Sequence, residues 1–252
     1  MISFSLENKV ALITGASRGI GEAIALALAQ YGATCLLVSR KTDGLAAVQT
    51  KIRAAGGKAD VLACHMGDLS RIERLIDQVQ SDYGRLDILV NNAATNPYFG
   101  LMTDASEAAW DKTVGVNLKG PFFLIGHAAG LMAAGGGGSI VNVASINGVT
   151  PALYQGIYSI SKAGVIAMTK AYAKELAEKN IRVNALLPGL TATKLSQALI
   201  DSDEIYQHAM SRIPLKRHAE PMEMAGAVLY LVSDAASFTT GTAVVCDGGA
   251  LA

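Results

Sequence analysis

The sequence has few of the residues that build disulfide frameworks or metal sites. Its 252 residues include three cysteines and four histidines. Cys35, Cys64 and Cys246 are far apart, and each lies in or at the end of an apolar run, so we predict buried thiols in a reducing compartment. The histidines show no spacing typical of metal ligands, and we predict no metal site.

The sequence also lacks an excess of charge of either sign and any long hydrophobic run. Basic and acidic residues number 21 each, without a basic stripe, so nucleic acid is not an expected partner. No run approaches the roughly 20 apolar residues that cross a bilayer, and Met1–Glu7 does not resemble a signal peptide. We therefore expect a soluble, cytoplasmic protein with no membrane partner.

What the sequence does have is an alternation of short β-branched runs with longer helical patterns. Apolar residues make up 51% of the chain, enough for a large core. The short runs are nearly continuous in apolar residues, which is typical of parallel strands covered on both faces. The pattern predicts a Rossmann-type α/β fold: a doubly wound, mostly parallel seven-stranded sheet with helices on both faces. The predicted strands are Lys9–Thr14, Thr34–Ser39, Ala59–His65, Asp87–Asn91, Gly138–Ala144, Ile181–Leu187 and Thr242–Cys246.

No linker divides the chain, so residues 1–252 are predicted to form a single domain. Gly135–Gly138 is interpreted as a helix-to-strand turn because a strand follows at once. The one long stretch outside the alternation is Thr193–Arg217, which precedes the helix that Pro221 begins. Long segments of this kind often form a lid, and we expect residues 193–217 to contact the substrate.

A glycine-spaced turn, TGASRGIG at residues 14–21, follows the first predicted strand. One glycine permits a tight turn, one lets the backbone approach a phosphate, and one lets helix and strand pack closely. The free N–H groups at a helix start favour an anion. Gly15, Gly19 and Gly21 therefore predict a dinucleotide site, although a tight turn without a ligand has the same pattern.

The end of the second strand predicts which dinucleotide is bound. An acidic residue there would hydrogen-bond the ribose 2′-hydroxyl of NAD and repel a 2′-phosphate. This chain has Ser39 and Arg40 instead, with Arg18 in the glycine turn. Two guanidinium groups facing a 2′-phosphate would contribute roughly 1.5–3 kcal/mol each, so we predict NADP(H) over NAD(H). The alternative is that both arginines are solvated surface charges.

Tyr158 and Lys162 are one helical turn apart and share one helix face. A free phenol has a pKa near 10, and a nearby ammonium lowers that pKa, which predicts a general acid or base near neutral pH. Ser145 follows an apolar strand, at the sheet edge where such folds bind ligands, and its hydroxyl would stabilise a developing alkoxide. In isolation the YxxxK spacing is equally typical of an amphipathic surface.

Together these motifs resemble the short-chain dehydrogenase/reductase family over nearly the whole chain. The matching motifs are TGASRGIG (14–21), GDL (67–69), NNA (91–93), Asn117, Ser145, YSISK (158–162), RVN (182–184), PG with a threonine four residues after the glycine (188–193), and DGG (247–249).

The resemblance implies a role for each catalytic residue. Tyr158 would donate the proton to a carbonyl oxygen, and Lys162 would lower the pKa of that phenol and hold the nicotinamide ribose. Ser145 would polarise the carbonyl, and Asn117 would hold a water that connects Lys162 to solvent, unless Asn117 only caps or kinks its helix.

The resemblance also implies the cofactor contacts. Asp68 and Leu69 would border the adenine, although Asp68 can equally be a turn residue. The residues expected to contact the cofactor are Gly15, Ser17, Arg18, Gly19, Ile20, Gly21, Ser39, Arg40, Asp68, Leu69, Asn91, Ala93, Tyr158, Lys162, Pro188, Gly189, Thr191 and Thr193.

One departure from the family motif narrows the resemblance. The family commonly has NNAG where this chain has NNAA, so the loop after the fourth strand is expected to differ. The string NNAATNPYFG (91–100) is similar to a branch of NADPH-dependent carbonyl and retinal reductases. The resemblance therefore implies hydride transfer between NADP(H) and a small-molecule carbonyl or secondary alcohol.

Three alternative functions stay open. A 3-oxoacyl thioester reductase or a sugar or polyol dehydrogenase would use the same machinery, and a non-catalytic nucleotide-binding protein would keep only the fold. An acyl-carrier partner would need a basic patch. The candidates for that patch are Lys194, Arg212, Lys216 and Arg217.

The substrate is expected to lie against both polar and apolar side chains. Asn96, Asn147 and Gln155 favour a hydroxylated or polar substrate, whereas Ile146 and Leu190 favour an apolar one. The sequence does not choose between them.

Two helical patterns are apolar over much of their circumference, at Trp110–Ala134 and Ile157–Glu178. Helices that are apolar beyond their sheet-facing side indicate a subunit interface. Because the family is typically tetrameric through the equivalent helices, we expect a homotetramer.

Overall fold

A computed structural model describes residues 2–252. Its central element is one seven-stranded sheet in the order β3-β2-β1-β4-β5-β6-β7, and every neighbouring pair of strands is parallel. The predicted doubly wound Rossmann-type fold is therefore confirmed. The strands are β1 Val10–Thr14, β2 Thr34–Ser39, β3 Lys58–Ala63, β4 Ile88–Asn91, β5 Gly138–Val143, β6 Ile181–Pro188 and β7 Ala243–Cys246.

Helices cover both faces of the sheet. Side chains alternate across each strand, so Leu12 faces one hydrophobic core and its neighbour Ile13 faces the other. Helices α3, α5 and α6 pack on the first face, and α1, α2 and α9 pack on the second. The helices are α1 Gly19–Gln30, α2 Asp43–Ala54, α3 Leu69–Tyr83, α4 Glu107–Val114, α5 Gly120–Ala134, α6 Gly156–Glu175, α7 Gln197–Ile200, α8 Asp203–Arg212 and α9 Pro221–Val232.

Two predicted segments differ from the observed elements. The apolar pattern at 110–134 is split into α4 and α5 by a π-helical turn, Gly115–Lys119, which contains Asn117. The segment 193–217 is not a plain loop, since it holds the short helices α7 and α8. Among residues 2–252, no helix combines the length and apolarity needed to cross a bilayer.

The strand order places a ligand site at one edge of the sheet. The chain runs outward from β1 through β2 to β3, then returns to β4 on the other side of β1. In open α/β sheets, ligands bind beyond the carboxyl ends of the strands at such a reversal. The glycine turn after β1 and the loops after β4, β5 and β6 all meet there.

Candidate active site

A cavity of about 1210 Å³ opens at this edge of the sheet. The glycine turn, the end of β2 and residues of α7 and α8 all line the cavity. Tyr158, Lys162 and Ser145 line it as well. This arrangement offers one site for a dinucleotide and a second molecule.

The glycine turn has the backbone conformation that its sequence predicts. Gly15 and Gly19 have φ values of +67° and +59°, in the left-handed region that favours glycine. A Cβ on Gly15 would lie 2.8 Å from Asn92 Nδ2, so this glycine is also required by close packing. Asn92 holds the turn in place, because its Nδ2 donates to the Thr14 carbonyl at 2.9 Å.

The end of β2 is strongly basic. Arg18, Arg40 and Lys41 line the cavity there, and Asp43 is the one carboxylate in the lining. Neither Arg18 nor Arg40 forms an ion pair with any residue between 2 and 252. The Ser39 hydroxyl donates to the Lys41 carbonyl at 2.6 Å and so fixes the loop that carries Arg40 and Lys41.

Helix α6 brings Tyr158 and Lys162 to the cavity. The two residues begin a buried stripe that continues through Val165 and Thr169, which face the sheet. Packing of this stripe buries the phenol and the ammonium. Lys162 Nζ donates to the Val143 carbonyl at 2.7 Å and lies 5.5 Å from the centroid of the Tyr158 ring.

Ser145 approaches the tyrosine because the loop after β5 folds back onto α6. The Ser145 hydroxyl accepts a hydrogen bond from Asn147 N at 3.1 Å, which caps a short helical turn. Gly148 in that turn lies against α6, where a Cβ would be 2.7 Å from the carbonyl carbon of Lys162. The loop therefore presents the hydroxyl to the tyrosine side of the cavity.

Burial sets the pKa values of the tyrosine and lysine. Burial raises the pKa of Tyr158 to about 12, and a hydrogen bond with Ser145 acts weakly in the opposite direction. Burial also lowers the pKa of Lys162 to about 8. The sequence predicted a lowered tyrosine pKa, and this direction is wrong here, because the loss of solvent outweighs the opposing effect of the Ser145 hydroxyl. The phenol is therefore protonated at neutral pH.

Asn117 lies in the π-helical turn and does not line the cavity. Its Oδ1 accepts from Thr95 N at 2.8 Å, and its Nδ2 lies 2.9 Å from the Thr95 carbonyl and 3.1 Å from Ser161 Oγ. Ser161 Oγ in turn donates to the Tyr158 carbonyl at 2.7 Å. The side chain of Asn117 thus ties the loop after β4 to α6. Its role in holding a water that connects Lys162 to solvent stays a prediction.

The predicted substrate residues form an amide cluster next to apolar side chains in the cavity lining. Gln155 Oε1 lies 3.1 Å from Asn96 Nδ2 and 3.5 Å from Asn147 Nδ2. Phe99 and Tyr154 form an aromatic pair with ring centroids 5.8 Å apart. The aliphatic residues of the cavity lining include Ile146, Leu190, Leu195, Leu199 and Ile205. The five predicted substrate residues all line this cavity.

The chain is similar to enzymes of known family. A family model described as Enoyl-(Acyl carrier protein) reductase matches residues 15–250. Dehydrogenase/reductase SDR family member 4 of Oryctolagus cuniculus is 40% identical over 245 residues, which cover 97% of this chain and 94% of the relative. The 3-oxoacyl-[acyl-carrier-protein] reductase FabG of Thermotoga maritima is 41% identical over 244 residues, covering 97% and 98%. The chain belongs to the short-chain dehydrogenase/reductase family.

A solved structure supports the same assignment. The gluconate 5-dehydrogenase from Burkholderia cenocepacia J2315, in complex with NADP and tartrate, is 31% identical with a TM-score of 0.94. The alignment covers 98% of this chain and 97% of that one. This short-chain dehydrogenase/reductase is therefore an oxidoreductase that acts on CH–OH or C=O groups.

The residues present fit a nicotinamide dinucleotide, the cofactor of this family. The first-turn N–H groups of α1 begin at Gly19 beside the cavity, where they favour a phosphate. Thr193 lies against the same turn, since a Cβ on Gly19 would be 3.3 Å from Thr193 Cγ2. The loop after β6 also lines the cavity through Pro188, Gly189 and Thr191, next to Lys162.

Most predicted cofactor residues of this short-chain dehydrogenase/reductase line the cavity, and four do not. The exceptions are Gly21, Asp68, Leu69 and Asn91. Gly21 packs against Gly15 O, so it permits the close contact of helix and turn. Asp68 caps α3 by accepting from Arg71 N at 3.2 Å, and the Ser70 hydrogen bond lowers its pKa.

Of the neighbours Asn91 and Asn92, the one that lines the cavity is Asn92, for which the sequence predicted no role. Asn91 is buried in the sheet, where its Nδ2 donates to Asn142 Oδ1 at 2.9 Å. Asn92 lines the cavity and holds the glycine turn, although the sequence singled out Asn91. Period-two alternation was the available signal, because consecutive residues at the end of a strand face opposite sides. In residues 2–252 no three His, Cys, Asp or Glu side chains form a metal-binding group.

Proposed function

We propose that the protein is an NADPH-dependent reductase of ketones or aldehydes, related to carbonyl and retinal reductases. The observation that carries this proposal is the meeting of Ser145, Tyr158 and Lys162 on one cavity wall, with the phenol held in its protonated form. A protonated phenol is ready to donate, which suits reduction of a carbonyl more than oxidation of an alcohol.

The side chains divide the work of the reaction. The nicotinamide cofactor, when bound, supplies the hydride. The Tyr158 hydroxyl donates a proton to the carbonyl oxygen, and the Ser145 hydroxyl hydrogen-bonds the same oxygen as negative charge develops. Lys162 is anchored by the Val143 carbonyl beside the phenol, where its charged form would stabilise a phenolate after proton transfer.

The preference for NADP(H) over NAD(H) is supported by charge. Arg18, Arg40 and Lys41 all line the cavity and would attract a ribose 2′-phosphate, and Ser39 stands where an acidic residue would repel it. The two guanidinium groups are not engaged by carboxylates of the described chain. They are therefore available for charge-assisted hydrogen bonds.

A 3-oxoacyl thioester reductase or a sugar or polyol dehydrogenase is the second candidate. Its support is that FabG and dehydrogenase/reductase SDR family member 4 are about equally similar to this chain, at 41% and 40% identity. The amide cluster around Gln155 would also suit a hydroxylated substrate. We further propose residues 193–217 as the substrate segment, a homotetramer as the assembly, and the cytoplasm as the location.

The proposal is tested by an NADPH-oxidation screen over aromatic ketones, diketones, keto-sugars and acetoacetyl thioesters. We expect turnover of at least one neutral ketone or aldehyde. Tyr158→Phe should abolish that turnover and leave NADPH binding, measured by fluorescence titration, unchanged. Full activity of the variant would refute the mechanism, and NADPH binding without turnover in the parent would favour a non-catalytic protein.

A further inference from the structure

The cavity lining carries far more positive than negative charge. Seven lysine and arginine side chains line it against the single carboxylate of Asp43, although the whole chain has equal numbers of acidic and basic residues. A cavity lined by one sign of charge concentrates ligands of the opposite sign. The dinucleotide accounts for only part of this imbalance.

Three of the seven cations belong neither to the glycine turn and β2 nor to the Tyr158–Lys162 pair. Arg18, Arg40 and Lys41 follow the glycine turn and β2, and Lys162 is the catalytic lysine. The remaining cations are Lys112 on α4, Lys194 after β6 and Arg212 on α8. Their side chains make no ion pair within residues 2–252.

Two cations close to Arg212 in the sequence, Lys216 and Arg217, do have partners within the protein. Lys216 Nζ lies 3.2 Å from the carbonyls of Met210 and Ser211, where it caps the end of α8. Arg217 makes two hydrogen bonds to the carboxylate of Glu223, at 2.7 and 2.6 Å. Two of the four cations that the sequence offered as a basic patch are therefore used within the protein, and neither lines the cavity.

The register of α8 directs Arg212 at the cavity. Ile205, His208, Ala209 and Arg212 all line it, and their spacing of three, one and three residues is that of one helix face. Arg212 is therefore at the cavity-facing rim, one turn after His208, and not on the outer face of α8. The guanidinium group presents a planar set of donors that matches a carboxylate.

We propose that Arg212 is a specificity-determining residue that binds a carboxylate of the substrate, so that the preferred substrates are oxo acids or the corresponding hydroxy acids. This inference rests on the proposed reductase function and refines its substrate class. Leu195, Leu199 and Ile205 belong to the same segment of the chain as Arg212 and also line the cavity, so the carbon chain between carbonyl and carboxylate would contact apolar side chains. Lys194 of this segment adds a second positive charge to the lining.

The experiment compares each acid with its neutral methyl ester. Oxo acids of increasing chain length and 4-acetylbenzoate, each with its ester, are assayed with NADPH. In the parent enzyme we expect kcat/KM for at least one acid to exceed that of its ester by roughly tenfold or more, as for one charge-assisted hydrogen bond. Added salt should weaken this preference, because dissolved ions screen the attraction between a solvent-exposed guanidinium group and a carboxylate.

Arg212→Gln should remove the preference. We expect kcat/KM for the acid to fall roughly tenfold or more, mainly through KM, while the ester changes less than about threefold. Arg212→Lys should be intermediate, since it keeps the charge and loses the planar donors. Arg74→Gln is the matched control, because Arg74 is exposed on α3, makes its side-chain hydrogen bonds to Ser70, and does not line the cavity.

The outcomes separate this inference from the proposed function. Equal turnover of acids and esters by the parent overturns the carboxylate site and leaves the reductase function standing. A charge preference limited to acetoacetyl-coenzyme A, with none for the oxo acids, also overturns it, because the recognised anion would then be a phosphate. No turnover of any carbonyl compound overturns both.

Discussion

At the scale of single residues, the site depends on a phenol whose protonation is controlled by burial. The Tyr158 hydroxyl has a pKa of about 12 because α6 packs it against the sheet away from water. A proton donor of this kind is present in its active form at neutral pH. The reverse reaction needs the phenolate, which burial disfavours.

This difference predicts that only one direction of the reaction depends on pH near neutrality. Between about pH 6 and pH 8, the kcat/KM for carbonyl reduction should be nearly constant, because the phenol stays protonated. Over the same range the kcat/KM for alcohol oxidation should rise about tenfold per pH unit. The reason is that the phenolate fraction increases about tenfold with each unit of rising pH as long as the pH is below the pKa. Steady-state kinetics with one ketone and its alcohol measure both. An oxidation rate independent of pH would show that the phenolate already predominates at neutral pH.

The cofactor preference also depends on single residues, at the end of β2. Ser39→Asp should place a carboxylate near the 2′-phosphate, beside Arg40 and Lys41. We expect the ratio of kcat/KM for NADPH to that for NADH to fall by roughly tenfold or more. Ser39→Ala serves as the control, because it removes the hydroxyl and its bond to Lys41 without adding charge. An unchanged ratio in Ser39→Asp would refute the preference for NADP(H).

At this scale, the sequence predicted which candidate catalytic side chains lie together better than it predicted their surroundings. The spacing of Tyr158 and Lys162 predicted a shared helix face, which is fixed by helix geometry alone. The direction of the tyrosine pKa shift was wrong, because burial depends on how α6 packs, and spacing does not report it. Arg212 was grouped with Lys216 and Arg217 for the same reason, since the spacing does not show that α8 ends at Arg212 or that the other two side chains bind carbonyls and Glu223.

At the scale of elements, the strands were predictable and the segment after β6 was not. Parallel strands buried on both faces leave nearly continuous apolar runs, and all seven appear in the sequence within two residues of their observed bounds. Helices α7 and α8 have four and ten residues, and neither begins with a side-chain cap hydrogen bond. Without a cap or a long amphipathic pattern, a polar segment resembles a loop.

The end of this segment is joined to α9 by an exposed ion pair. Glu223 accepts from Arg217 and from Glu220 N, and these hydrogen bonds hold the pKa of its carboxyl at about 2, below the ordinary value of 4.5. A carboxyl whose pKa is lower in the folded state stabilises the protein above its unfolded pKa. That contribution is lost as the pH falls from about 4.5 towards 2.

Glu223→Gln should therefore lower the thermal midpoint near neutral pH, and the difference from the parent should shrink as the pH falls below about 4.5. Differential scanning calorimetry at several pH values measures this. Glu178→Gln is the control, since Glu178 forms no ion pair within the described chain. A deficit that is the same at pH 7 and pH 3.5 would contradict a role of the ionised carboxylate.

At the scale of the whole molecule, large apolar side chains are exposed in two parts of the fold. Trp110, Phe122, Phe123 and Ile160 are exposed on α4, α5 and α6. Met222 and Tyr230 on α9, and Phe238 after it, are exposed as well. Exposed apolar surfaces mark interaction sites, and a chain that associates through two separate surfaces forms a tetramer with dihedral symmetry.

We accordingly expect light scattering to give about four times the chain mass of 26.1 kDa. A charge inserted into one surface should leave the other intact, so Phe123→Glu and Phe238→Glu should each yield dimers. Circular dichroism would confirm that these variants remain folded. Tyr31→Glu is the control, because Tyr31 is an exposed aromatic residue at the end of α1, outside both surfaces. A monomeric parent protein would contradict the assembly, and a tetramer in both variants would locate the interfaces elsewhere.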